Sequence, residues 1–122
     1  MRTALVILLA LAVATTCACR RPIELPAELE GTWTTRHETY ADRAFTLTPG
    51  QIAFDLGEHG VARHAIDAVY RETTNEGEDL ITIVYLGEEG GALRFSLIYD
   101  EAKGPALVPK NQPGIRWTRE RS

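Results

Sequence analysis

The sequence predicts an all-β fold, a small antiparallel up-and-down barrel of seven or eight strands, with a two-sheet β-sandwich as the alternative. Three observations carry this reading. After residue 30, short runs of β-forming residues alternate with turns bearing Gly, Pro or Asn at close, regular spacing. Two runs show the two-residue alternation of a half-buried strand: Ile52, Phe54 and Leu56 against Gln51, Ala53 and Asp55, and Leu93, Phe95, Leu97 and Tyr99 against Arg94, Ser96 and Ile98. No stretch after residue 30 shows the period of about 3.6 residues that marks an amphipathic helix. Hairpin-length connections make the strands a meander, and closing it removes the edges an open sheet would leave exposed.

The elements follow in order. Residues 32–39 are rich in β-formers, and residues 44–48 put Phe45 and Leu47 on one face. Thr48-Pro49-Gly50 is a turn, with Pro fixing φ and Gly permitting a positive one. The alternating strand from Gln51 follows, broken by Gly57-Glu58-His59-Gly60. Residues 61–74 are long enough to contain a bend or bulge, with Ile66, Ala68 and Tyr70 expected on the inner face. Asn75-Glu76-Gly77 turns the chain into residues 80–86, the most β-prone run, apolar on both faces. Glu88-Glu89-Gly90-Gly91 leads to the second alternating strand, and residues 106–108 form a short strand ended by Pro109. The last strand is residues 115–120. A small barrel closes when its first and last strands pair, so the stretches holding Trp33 and Trp117 are the expected seam.

The N-terminus is of a different kind. Met1-Arg2 supplies a positive start, and residues 4–14 are an uncharged apolar run. That run is too short for a membrane span of about 20 residues and has the length and flanks of a secretory signal. It ends in Ala14-Thr15-Thr16-Cys17-Ala18-Cys19-Arg20-Arg21, which resembles a bacterial lipoprotein signal. The resemblance implies acylation of Cys19, which follows the small Ala18, with Cys17 as the alternative. These are the only two cysteines, one residue apart, where a disulfide would be severely strained, so processing explains them better than stapling. The chain therefore divides into a signal peptide (1–18), a lipid anchor and tether (19–30, with Pro22 and Pro26) and a β domain (31–122). Arg20 and not Asp after the modified cysteine implies, by resemblance to enteric lipoproteins, the outer membrane facing the periplasm.

Composition narrows the function. A net charge of −4, with no basic cluster beyond Arg20-Arg21, argues against nucleic acid. No Gly-x-Ser-x-Gly is present, no cysteine lies in the β domain, and Gly90-Gly91 precedes no helix that would make it a phosphate loop. The carboxylates Glu76, Glu78, Asp79, Glu88 and Glu89 gather at predicted turns, where charge keeps hairpin ends solvated. His37, His59 and His64 match no ligand motif; His37-Glu38 has half of a zincin motif without its second histidine. No metal or cofactor is expected. Trp33 and Trp117 are expected in the core, while Tyr40, Tyr85 and Tyr99 suit either a barrel mouth or its outside.

An early Gly31-x-Trp33 on the first strand, followed by a meander, resembles the lipocalin and fatty-acid-binding superfamily and its short bacterial lipocalin-like relatives. The resemblance implies that Trp33 packs at the closed end of the barrel beneath an arginine of the last strand, Arg116 or Arg119. Gly31, Trp33, Arg116, Trp117 and Arg119 are thus the closure residues. The chain is much shorter than a true lipocalin and has no C-terminal helix pattern. The functional expectation is a monomeric, non-enzymatic, lipid-anchored envelope protein that binds a small or apolar ligand. The alternative is a protein-binding module such as a periplasmic protease or lysozyme inhibitor. A continuous empty cavity would favour the first, and a filled barrel with a protruding loop or N-terminal strand able to enter a cleft the second.

Overall fold

A computed structural model describes residues 21–102 and 104–120. Residues 1–20, and with them Cys17, Cys19 and the signal segment, lie outside the described residues. The described residues form eight strands: β1 (Gly31–Thr35), β2 (Ala44–Thr48), β3 (Gln51–Asp55), β4 (Val61–Thr73), β5 (Asp79–Leu86), β6 (Ala92–Asp100), β7 (Ala106–Pro109) and β8 (Trp117–Arg119). They pair antiparallel in sequence order into one closed barrel, so the sandwich is excluded. The seam joins β1 to β8 through Trp33 opposite Arg119, Thr34 opposite Thr118 and Thr35 opposite Trp117. The Glu120 N–H donates to Thr32 O at 2.7 Å and extends it. Among the described residues no helix is long and apolar enough to cross a membrane.

The alternation read in the sequence sets most of the interior. Phe45, Leu47, Ile52, Ile81, Ile83, Leu97 and Leu107 are buried, as are Trp33 and Trp117. On β5 the outward residues Leu80, Thr82 and Val84 are buried as well, which accounts for a run apolar on both faces.

β4 departs from the expected phase. Ile66 packs against the core, but the register shifts between Ile66 and Ala68, and Val69 becomes the buried residue at 2% exposure. One extra residue reverses the period-two alternation, so Ala68 and Tyr70, expected inside, align with the outward Val84 and Thr82. Arg71 then falls on the inner face, opposite Ile81, at the end of the barrel.

β1 is shorter than expected. It stops at Thr35, and Glu38–Tyr40 forms a 3₁₀ turn whose start is capped by His37, the Thr39 N–H donating to its Nδ1 at 3.3 Å. The segment expected as tether also differs: from Ile23 onward it is a strap on the barrel. The Ile23 N–H donates to Val69 O at 2.8 Å, on the β4 edge that β3 leaves uncovered beyond Ala65. Leu25 packs on the core, and a 3₁₀ turn, Ala27–Leu29, inserts Leu29 with no exposure at all. Burying a leucine stabilises by about 1.5–3 kcal/mol, which outweighs the polar look of the segment.

Candidate functional site

The strand directions give the barrel two unlike ends. At the lower end lie the connections after β2, β4 and β6 and the strap. At the upper end lie those after β1, β3, β5 and β7.

The lower end is locked. Trp33 has no exposed surface, and its Nε1–H donates to Leu29 O at 3.0 Å, so the ring holds the strap. The Arg119 guanidinium lies over the Trp33 ring, 5.7 Å from its centroid, and its Nη1 donates to Glu30 O at 3.1 Å. Gly31 has φ of +130°, and a Cβ there would stand 3.0 Å from Arg119 Cδ. The position needs glycine for its backbone and for the passage of the arginine. Gly31, Trp33 and Arg119 thus form one unit, whereas Arg116 serves elsewhere. Its Nη1 donates to Asp100 Oδ2 at 2.8 Å and its Nη2 to Gly104 O at 3.1 Å, while its carbonyl accepts from Thr35 Oγ1 at 2.8 Å. Arg116 clasps the 100–105 turn to the seam.

Arg71 forms a second lock. It grips Asp79 through two bonds, Nε to Oδ1 at 3.0 Å and Nη2 to Oδ2 at 2.7 Å, and donates from Nη1 to Glu28 Oε1 at 2.9 Å. The bond from Arg71 holds the Glu28 carboxyl below its ordinary range, and the two carboxylates hold the guanidinium proton more tightly than usual. Tyr99 lies under Arg71 at 5.9 Å, its hydroxyl pushed above the ordinary tyrosine value first by burial and then by its bond to Glu101. These charges tie the strap to the barrel, a structural role.

The interior between the ends is filled by rings. Trp33 stacks on Phe45 at 6.5 Å; Phe45 meets Trp117 at 5.2 Å and Phe95 at 5.3 Å; Phe95 meets Phe54 at 5.8 Å. The run emerges at the upper end in Phe54, His64 and Tyr85, mutually 5.2 to 6.0 Å apart and only partly buried. His64 Nδ1 is 2.9 Å from Leu86 O. A carbonyl only accepts, so Nδ1 carries a proton, and in the neutral ring Nε2 bears the lone pair.

Around this cluster lie exposed apolar side chains. Val61 opens β4 at 49% exposure, Leu86 closes β5 at 36%, and Leu93 stands near the start of β6 at 49%. On the other side, Tyr40 covers Trp117 at 6.3 Å, its hydroxyl accepting from Gln112 Nε2 at 3.0 Å. Trp117 Nε1 is buried there without a hydrogen-bond partner. The three tyrosines are thereby placed: Tyr99 inside near the lower end, Tyr85 in the upper cluster, Tyr40 on the turn over Trp117. No group of three metal-ligating side chains occurs among the described residues.

The sequence reading named the closure residues and weighed Tyr85 and His64 separately, without joining them to Phe54 in one cluster. The signal was available: His64 shares the inner-face parity of Ile66 on β4, and Phe54 and Tyr85 fall on the inner faces of β3 and β5. No protein-family model matches the chain, and no curated protein or solved structure matches it either.

Proposed function

We propose that this is a non-enzymatic protein of the bacterial cell envelope, anchored by an acyl group on Cys19, whose upper barrel end is a docking surface for another envelope protein. One observation carries the reading: of the four large apolar residues exposed among the described residues, Val61, Leu86 and Leu93 sit at the upper end beside Phe54, His64 and Tyr85. Exposed apolar side chains gathered at one place on a polar surface mark interaction sites. The filled interior favours a contact across this end over a ligand held inside the barrel. Aromatic anchors with a polar rim, here Asp55 at the end of β3 and Glu58, Glu88 and Glu89 on the adjoining turns, are the composition of a binding surface.

A photo-crosslinking residue at position 89, in intact cells, tests this. A discrete adduct that disappears when Leu86 and Leu93 are both replaced by Ser is expected, with no adduct from position 76 at the lower end. Equal adducts from the two positions, or none from position 89, would contradict the reading.

A further inference from the structure

The fourth exposed apolar residue, Ile23, is 43% exposed and lies on the strap, away from the upper end. It is also held on the barrel by its backbone, its N–H donating to Val69 O at 2.8 Å. Beyond it, Leu25 packs on the core and Leu29 is fully buried, so the strap does not slide. In the sequence only Arg20, Arg21 and Pro22 separate Ile23 from Cys19. Four residue steps span at most about 14 Å when fully extended.

We infer that the lower end of the barrel, on the side where the strap crosses the β4 bulge, rests against the phospholipid bilayer, and that the upper end points away from it. The inference rests on acylation of Cys19, the anchor proposed above. An acylated cysteine has its sulfur at the membrane surface, and a leash of about 14 Å keeps Ile23 there. Val61, at the upper end of β4, is eight residues from Val69, about 25 Å along the strand, so with the lower end seated it stands clear of the surface. The face so presented is suited to head groups. Ile23 and Pro22 border an open groove lined also by Leu25, Pro49, Gly50 and Asp67. Exposed Arg21 beside the anchor meets anionic phosphates, while the exposed carboxylates Glu24 and Asp67 repel them and keep the face out of the hydrocarbon, so it is the leash that holds it at head-group level. The short leash thus does more than attach the protein: it fixes which way the upper cluster looks.

The test uses the acylated protein, purified with its anchor and reconstituted in vesicles of phosphatidylethanolamine and phosphatidylglycerol. The described residues contain no cysteine, so a fluorophore can be placed singly through Glu24→Cys, Asp67→Cys or Glu89→Cys. Head-group nitroxide lipids serve as quenchers. Quenching at positions 24 and 67 is expected to exceed that at 89 several-fold, and inserting about ten Gly/Ser residues after Arg21 should erase the difference, because the leash becomes flexible and long. Two strap-side labels guard against one of them disturbing the fold. Equal or stronger quenching at 89 in protein whose Cys19 is acylated by mass spectrometry overturns the orientation and leaves the anchor standing. A difference that survives the insertion overturns the leash as its cause. A Cys19 that carries no acyl group removes the anchor, and the orientation with it.

Discussion

The two ends of the barrel hold comparable aromatic groups and treat them differently. At the lower end Trp33 is sealed by Leu29, bonded through its Nε1–H and covered by Arg119. At the upper end Trp117 keeps its Nε1 buried without a partner, and the rings beyond it end in a half-exposed group of Phe54, His64 and Tyr85. The lower end uses its polar atoms to hold the fold. The upper end leaves apolar surface and the Trp117 donor unsatisfied, a state that costs stability. One satisfied end and one unfinished end is the asymmetry on which the proposed docking surface rests.

The largest expected effect comes from removing residues 113–122. The deletion takes away both β8 pairings, to β1 and to β7, and exposes two edges at once. Loss of the cooperative thermal transition is expected; a midpoint near that of the full chain would show that the barrel does not depend on its seam. Next comes Trp33→Ala, expected to cost about 3–5 kcal/mol in denaturant unfolding, against a total of about 5–15 kcal/mol for a domain of this kind. Trp33→Phe against Trp117→Phe sharpens the contrast. The first breaks the bond to Leu29 O, whereas the second removes a buried donor that has no partner, so Trp33→Phe should be the more destabilising by about 1 kcal/mol. The reverse order would mean that the upper end is the better satisfied one.

How far these differences were legible in the sequence depends on the residue. The barrel class was readable because period-two alternation and turn residues agree along the chain from Phe45 to Tyr99. Gly31 and Trp33 stood out by their spacing, but a choice between Arg116 and Arg119 required the register. Arg119 is directly opposite Trp33, and Arg116 lies before the strand begins. The phase of β4 was hidden because a bulge has no fixed residue signature, and one inserted position turns Val69 inward in place of Ala68 and Tyr70. The strap was hidden too. Its two prolines and polar content read as a tether, and only the uncovered edge of β4 and the space beneath Trp33 give Ile23 and Leu29 their places.

A smaller effect concerns Gly31→Ala. The backbone at φ of +130° and the 3.0 Å approach to Arg119 Cδ make the change strained, at about 1–3 kcal/mol. The same measurement on Arg119→Ala shows whether the strain is relieved once the side chain is gone: the double variant should be less destabilised than the sum of the two.

The smallest effect is electrostatic. Glu28 has a folded-state value below its ordinary 4.5, chiefly through its bond to Arg71. Its contribution is therefore complete above 4.5 and is lost as pH falls below that, through the folded value. The pair is partly solvated, which limits it to about 0.3–1 kcal/mol. Glu28→Gln should lower stability by that amount at neutral pH and narrow the gap to the parent protein below pH 4, measured by thermal unfolding across pH. A gap constant with pH would show that the strap is held by Leu29 and Ile23 alone.

The division between a holding end and a binding end is tested most directly by one variant carrying Val61→Ser, Leu86→Ser and Leu93→Ser. Its unfolding free energy and its crosslinking from position 89 are measured on the same preparation. The expected result is a stability within about 1 kcal/mol of the parent, as for exposed positions, together with loss of the adduct. A loss of stability approaching that of Trp33→Ala, or an adduct that persists unchanged, would contradict the division.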